Sequence, residues 1–199
     1  MLDPTIGCVV CVGEHRYELG RLVVRVVIGG LFLGHGTQKL FGWFGGPGPE
    51  GTEQMMQGLN LHPPRRNALA AGVTETVGGV LLAAGMVTPL AAASLIGVMV
   101  TAIRTVHLKN GPWAAEGGYE YNLVLIAALL ALVDGGPGDL SADAVLGIRN
   151  NGPAWALTAL AAGAAASTLT VELGHRAAPA TPSPDTTPHI AGDPVTEGS

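Results

Sequence analysis

His35, Gln38 and Lys39 close the first long apolar stretch of this 199-residue chain, and Glu75 interrupts the middle of the second. Arg104 and His107 close the third stretch, while Tyr119, Glu120 and Tyr121 open the fourth. A charge inside hydrocarbon is costly unless it is paired or lines a cavity, so each such residue is a functional candidate by default. Two cations (Lys39, Arg104) and two acids (Glu75, Glu120) could neutralise one another and hold helices in register, a structural use of buried charge. That use needs no histidine, amide or phenol. The mixture of His35, His107, Gln38 and Tyr119 with the charges suits a cavity for a small polar head group, a quinone ring, or proton handling.

Spacing supports a common site. His35, Gln38 and Lys39 stand at i, i+3 and i+4, on one side of a helix. Glu75 lies nine residues past Arg66, or about 13 Å into a hydrocarbon core of about 30 Å. Its helical neighbours are Ala71, Gly72, Gly78 and Gly79. They cannot shield a carboxylate from lipid but allow close helix contact, so Glu75 is expected to point into the bundle. The sequence predicts that Lys39 and Arg104 meet Glu75 and Glu120, without saying which cation takes which acid. Two other patterns compete for attention. His35 and His107 on neighbouring helices resemble a pair of haem ligands, though His35 should be several residues deeper. Cys8 and Cys11, the only cysteines, have the C-x-x-C spacing of a reversible dithiol, with an idle pair as the plain alternative. No metal site is expected.

The elements that must carry these residues are membrane helices. Hydrophobic residues make up 48% of the chain and charged ones 13%, half the share of a soluble protein. Four apolar stretches, near 19–44, 67–87, 89–108 and 119–133, predict an all-α membrane protein built as a four-helix transmembrane bundle. The fourth has a strongly apolar core only over Leu123–Val133. A fifth stretch, 154–171, is uncharged, rich in Ala, and expected to span as well. Thirty glycines fit helices that pack closely in lipid. Traced up and down, the polar residues gather at one end, face B, where the first helix ends and the second begins. The opposite end, face A, offers no comparable set. Gly45-Gly46-Pro47-Gly48-Pro49 breaks the chain after the first helix, and 52–61 could form a short interfacial helix. The chain thus divides into an N-terminal segment with the cysteines (1–18), the bundle (19–145), an additional helix (146–176) and a Pro- and Asp-containing tail (177–199) expected to be disordered. The first 20 residues do not read as a cleaved signal, so the first helix should itself direct insertion. No basic run points to nucleic acid. Basic residues divide almost evenly between the two faces, which leaves orientation open.

Three patches resemble the DoxX family of small membrane proteins: His35-Gly36-Thr37-Gln38-Lys39-Leu40-Phe41-Gly42; Glu75 followed by Gly78-Gly79; and Gly117-Gly118-Tyr119-Glu120-Tyr121-Asn122 after Asn110-Gly111, with Gly136-Pro137-Gly138 as the exit of the last helix. The resemblance covers about residues 19–145. It implies a four-helix bundle in the plasma membrane, a link to thiosulfate:quinone oxidoreductase, and association with superoxide dismutase and a thiosulfate sulfurtransferase. The expected function is a membrane subunit or anchor of a redox or thiol-stress complex, with no activity of its own required and a quinone as the candidate cofactor. A small transporter, or a pure scaffold for soluble partners, would use the same residues differently.

Overall fold

The structure is a computed structural model that describes residues 4–179, with side chains from residue 18 onward. The cysteine side chains and most of the tail lie outside the described residues. Among the described residues there are seven α-helices: α1 (Pro4–Phe41), α2 (Gly48–Gly58), α3 (Pro64–Ala84), α4 (Thr88–Ala102), α5 (Glu120–Gly135), α6 (Ala142–Val145) and α7 (Pro153–Arg176). Beyond Ala102 the chain continues as a π-type turn to His107 and a 3-10 turn to Asn110. Four segments are long and apolar enough to cross a membrane: Glu18–Phe41, Pro64–Ala84, Thr88–Asn110 and Pro153–Arg176. The protein is therefore an all-α, multi-pass membrane bundle.

The stretch predicted as an addition, α7, is thus long and apolar enough to span. The predicted fourth helix, α5, has 16 residues, about 24 Å at 1.5 Å per residue. It is shorter than the hydrocarbon core but supplies much of the buried apolar centre. Leu125, Ile126, Leu129, Leu132 and Val133 meet Ala91, Ala92, Leu95, Ile96 and Met99 of α4, Ile28 and Phe32 of α1 and Leu82 of α3. Helix α4 is the hub: α3, α5 and α7 all pack on it, and α1 lies along α3. Many of the other apolar residues face outward. Leu69, Val73, Val77 and Val80 form one stripe on α3, and Val23, Val27 and Leu31 form another on α1. In water such stripes would be a liability; in a bilayer they meet lipid.

Backbone proximity explains the glycines. A Cβ built on Gly29 of α1 would lie 2.5 Å from the carbonyl oxygen of Gly79 on α3, and one on Gly79 would lie 2.6 Å from that of Gly29. On the other side of the hub, a Cβ on Gly163 of α7 would lie 2.7 Å from the oxygen of Ala93. Both seams bring backbones together where any side chain would hold them apart.

The sequence reading gave face A no polar set, and the structure corrects this. Arg25, only 1% exposed, donates from Nε to Ala83 O at 3.0 Å, from Nη2 to Leu140 O at 2.5 Å, and from Nη1 to Pro137 O. Asp143, equally enclosed, accepts from Val87 N (2.7 Å), Thr88 N (3.0 Å) and Thr88 Oγ1 (2.8 Å). Glu18 accepts from Asp139 N and pairs with Arg21 at 3.1 Å. The loop after α5 is thereby fastened over the α3–α4 turn. Its acceptors are backbone carbonyls, which carry no sequence signature.

Gly29→Val should destabilise the protein by about 1–3 kcal/mol through overpacking. Gly30→Val, where nothing lies within 4 Å, should stay within about 0.5 kcal/mol of wild type. Thermal melts of both variants in detergent would check the contrast.

Candidate functional site

The α1–α3 seam delivers Lys39 to Glu75. Gly72 stands one turn before Glu75, and a Cβ there would press on Leu40 (2.7 Å) and lie 3.4 Å from Lys39 Cβ. Without that side chain α1 settles against α3, and the lysine arm reaches inward. Its Nζ donates to Glu75 Oε2 at 2.5 Å. Glu75 is 3% exposed, and Lys39 retains 19%. Above the pair, Thr52 of α2 donates to Gly48 O at 2.6 Å and sits 3.4 Å from Lys39 O, so α2 closes over the end of α1. A charge-assisted contact this short inside the bundle is among the stronger polar interactions available to a protein.

Beside the pair opens a cavity of about 850 Å³ between α3, α4 and α7, roofed by α2 and the 59–63 loop. Helices α3 and α7 both pack on α4 but are not among the closely packed helix pairs, which leaves a slot between them. Met55, Met56, Leu59 and Leu61 supply the apolar roof. Leu61 packs with Met56, Ala68 and Val171, and His62 N donates to Gly174 O at 3.2 Å, so the roof is pinned to α7. Hydroxyls line the slot: Thr74 on α3, Ser94 and Thr101 on α4, Thr105 in the π-type turn after it, and Ser167 and Thr170 on α7. Thr101 donates to Ser167 at 3.0 Å across the α4–α7 seam. Arg66, His62 and His107 line the cavity toward face B, and Glu75, paired with Lys39, lies about two and a half helical turns past Arg66 on α3.

Of the residues selected from sequence, the structure brings Lys39, Glu75 and His107 to this cavity. His35 and Gln38 are elsewhere: they bond each other at 3.1 Å on the outward side of α1. The expected pairing of Arg104 is corrected. It faces α7, 3.8 Å from Glu172 and 3.3 Å from Thr168 Oγ1, because the π-type turn at Ile103–His107 rotates it away from Glu75. Glu120 meets neither cation; its Oε1 accepts from Ala114 N at 2.9 Å and caps the loop entering α5. Tyr119 belongs to the same loop, bonded through its backbone to Gly111 O. His107 Nδ1 contacts Gly117 O at 2.7 Å and the residue lines the cavity, whereas His35 is exposed on α1 away from it, so the two do not face a common haem site. Among the described residues, no group of three or more His, Cys, Asp or Glu is placed to hold a metal ion. Sequence reasoning missed the hydroxyls, Asn67, Arg66 and the whole α7 wall. Pairs such as Thr101/Thr105 and Ser167/Thr170, four and three residues apart, were the available signal.

A multi-pass bundle with an ion pair sealed beside an intramembrane cavity defines a small membrane protein built around a polar site in its face B half. The chain belongs to the DoxX family, whose model matches residues 20–108. It is 33% identical over 116 residues to the "Putative oxidoreductase CatD" of Bacillus subtilis (strain 168), a match covering 58% of this chain and 80% of that protein. It is 28% identical over 127 residues to an uncharacterized protein of Haemophilus influenzae, covering 63% of this chain and 82% of that one. No solved structure matches it. The matched 20–108 segment contains Lys39, Glu75 and the α4 wall, and α7 lies beyond it.

Lys39→Met and Glu75→Gln should each cost about 3–5 kcal/mol, because each strands a buried partner, and the double variant should recover much of that loss. Arg104→Met with Glu120→Gln should be additive within about 0.5 kcal/mol, the two being out of contact. Melting the singles and doubles in the same detergent would check both.

Proposed function

We propose that the protein is the plasma-membrane subunit of a redox or thiol-stress complex, and that its cavity holds the head group of a quinone. The observation that carries this reading is the cavity of about 850 Å³ with Lys39 and Glu75 on its wall. A quinone needs an apolar channel for its tail and hydrogen-bonding groups at its carbonyl oxygens. The slot between α3 and α7, whose lining is mostly apolar around its hydroxyls, supplies the first. Lys39 Nζ, with two N–H groups beyond the one given to Glu75, supplies the second, assisted by the hydroxyl of Thr74. Volume is adequate, since sites for molecules of this size run from about 300 to 1,000 Å³. The name of the Bacillus relative is consistent with oxidoreductase chemistry. A small sulfur compound would use the same donors, but the apolar roof and mostly apolar slot favour the quinone. In this reading the protein binds and positions; electrons come from a partner, for which superoxide dismutase and a thiosulfate sulfurtransferase are the candidates raised by the family resemblance.

Transport through the bundle is the weaker reading. Face A is fastened by Arg25 and Asp143, so a path from the cavity would have to break three carbonyl contacts and a helix cap.

Protein purified in mild detergent should retain lipid-extractable quinone and bind added decylubiquinone. Replacing both Lys39→Met and Glu75→Gln removes the charge-assisted contacts, worth about 1.5–3 kcal/mol each. Decylubiquinone affinity should then fall roughly ten- to a hundredfold. Unchanged affinity in the double variant would contradict the placement of the head group.

A further inference from the structure

Lys39 borders two spaces. On one side is the cavity described above; on the other is a separate recess of about 380 Å³ between the end of α1, the first half of α2 and the first turn of α3. The recess is walled by Glu50 and Glu53 of α2 and Arg65 of α3, with Leu40, Pro49 and Ala68. Arg65 and Glu50 are exposed, so this space meets the water and head groups of face B. Glu75, by contrast, is 3% exposed and borders the cavity alone. The ion pair is therefore the partition: one of its members has access to both spaces, the other to one.

We propose that Lys39 relays protons from the water-facing recess to Glu75 and to a ligand in the cavity. This rests on the ligand reading above and adds the route by which such a ligand is protonated. A quinone seated against the pair would fill the slot and exclude water from Glu75, so protons must arrive from another side. The recess is that side. An N–H bond of Lys39 breaks and an O–H bond forms on Glu75; Glu75 then gives this proton to an oxygen of the quinone that the partner's electrons have reduced, and returns to carboxylate. The neutral Lys39 amine takes a proton from water in the recess, with Glu50 and Glu53 holding the supply by their negative charge. Charge and protons balance over the cycle, and no electron moves in it. The groups that face the pair are consistent with this direction. From α3 come Arg65 in the recess and Arg66 in the cavity, from the 59–63 loop His62, and from the π-type turn after α4 His107; His35 of α1 is near enough to act on Glu75 electrostatically. Helix α7 presents no ionisable side chain to the cavity. Arg25 and Asp143 fasten face A, and the protons are therefore drawn from face B only.

The test uses the full chain in lipid nanodiscs loaded with decylubiquinone, with unbound quinone removed. Dithionite supplies two electrons, two protons come from solvent, and quinol formation is read from the loss of quinone absorbance. Glu50→Gln with Glu53→Gln touches the recess and not the cavity, so bound decylubiquinone should be unchanged while quinol formation slows roughly tenfold or more. Added azide, whose conjugate acid is small and neutral, should restore the rate by carrying protons past the missing carboxylates. Glu53→Gln alone gives the same reading if the double variant accumulates poorly. An unchanged rate with quinone bound overturns the relay alone. Slowing that azide does not rescue also overturns it, since that is the signature of a structural role. Failure of the wild type to bind decylubiquinone overturns the ligand reading, and the relay with it.

Discussion

An ammonium and a carboxylate 2.5 Å apart, enclosed by helices within a bilayer, constrain almost everything around them. Neither charge survives alone in that environment without a large cost. The two must therefore be delivered to one place by two different helices, and they must arrive together. Delivery depends on what is missing from Gly29, Gly72 and Gly79. With side chains there, α1 would stand off from α3 and the lysine would fall short. The seam that looks like passive packing is the condition for the pair, and the pair in turn explains why a membrane helix tolerates an acid near its middle.

The two ends of the bundle are built for different purposes. Face A is closed by groups that satisfy one another: Arg25 on three carbonyls, Asp143 on the start of α4. Buried polar groups that are fully satisfied rigidify a structure. Face B holds the cavity, the recess and a roof made of a short helix and a loop. Aromatic rings at its outer edge, Phe41 and Trp43 with centroids 5.2 Å apart and Phe44 next to them, suit the interfacial depth where such side chains collect. One end is thus closed by satisfied polar groups, and the other holds an ion pair whose lysine borders both the cavity and the recess.

Much of this was legible in the chain. Charges interrupting apolar runs pointed to Lys39 and Glu75, and the small neighbours of Glu75 gave its inward direction, because hydrocarbon leaves few other solutions. What could not be read was rotation about each helix axis. Gln38 and Lys39 are adjacent, hence about 100° apart on a helix, and only one of them turns toward α3. The spacing that grouped His35, Gln38 and Lys39 was compatible with a shared site but did not require one. Arg104 escaped for a related reason: a local π-type turn resets the angle of everything after Ala102. Arg25 looked like one of several arginines near face A, since its acceptors are the main-chain oxygens of Ala83, Pro137 and Leu140, and a backbone carbonyl is present at every residue. The α7 wall was underestimated because Ala and Ser, weak as membrane signals, are what close helix packing uses.

The dependence of the ion pair on the glycine seam can be measured directly by solid-state NMR in lipid bilayers. The observable is the dipolar coupling between ¹⁵N-labelled Lys39 Nζ and the ¹³C-labelled carboxylate of Glu75. The account predicts a strong coupling in the wild type, kept in Gly30→Val and lost in Gly72→Val, where the added side chain pushes Leu40 and Lys39 away. No coupling in the wild type, or a coupling that survives Gly72→Val undiminished, would contradict it.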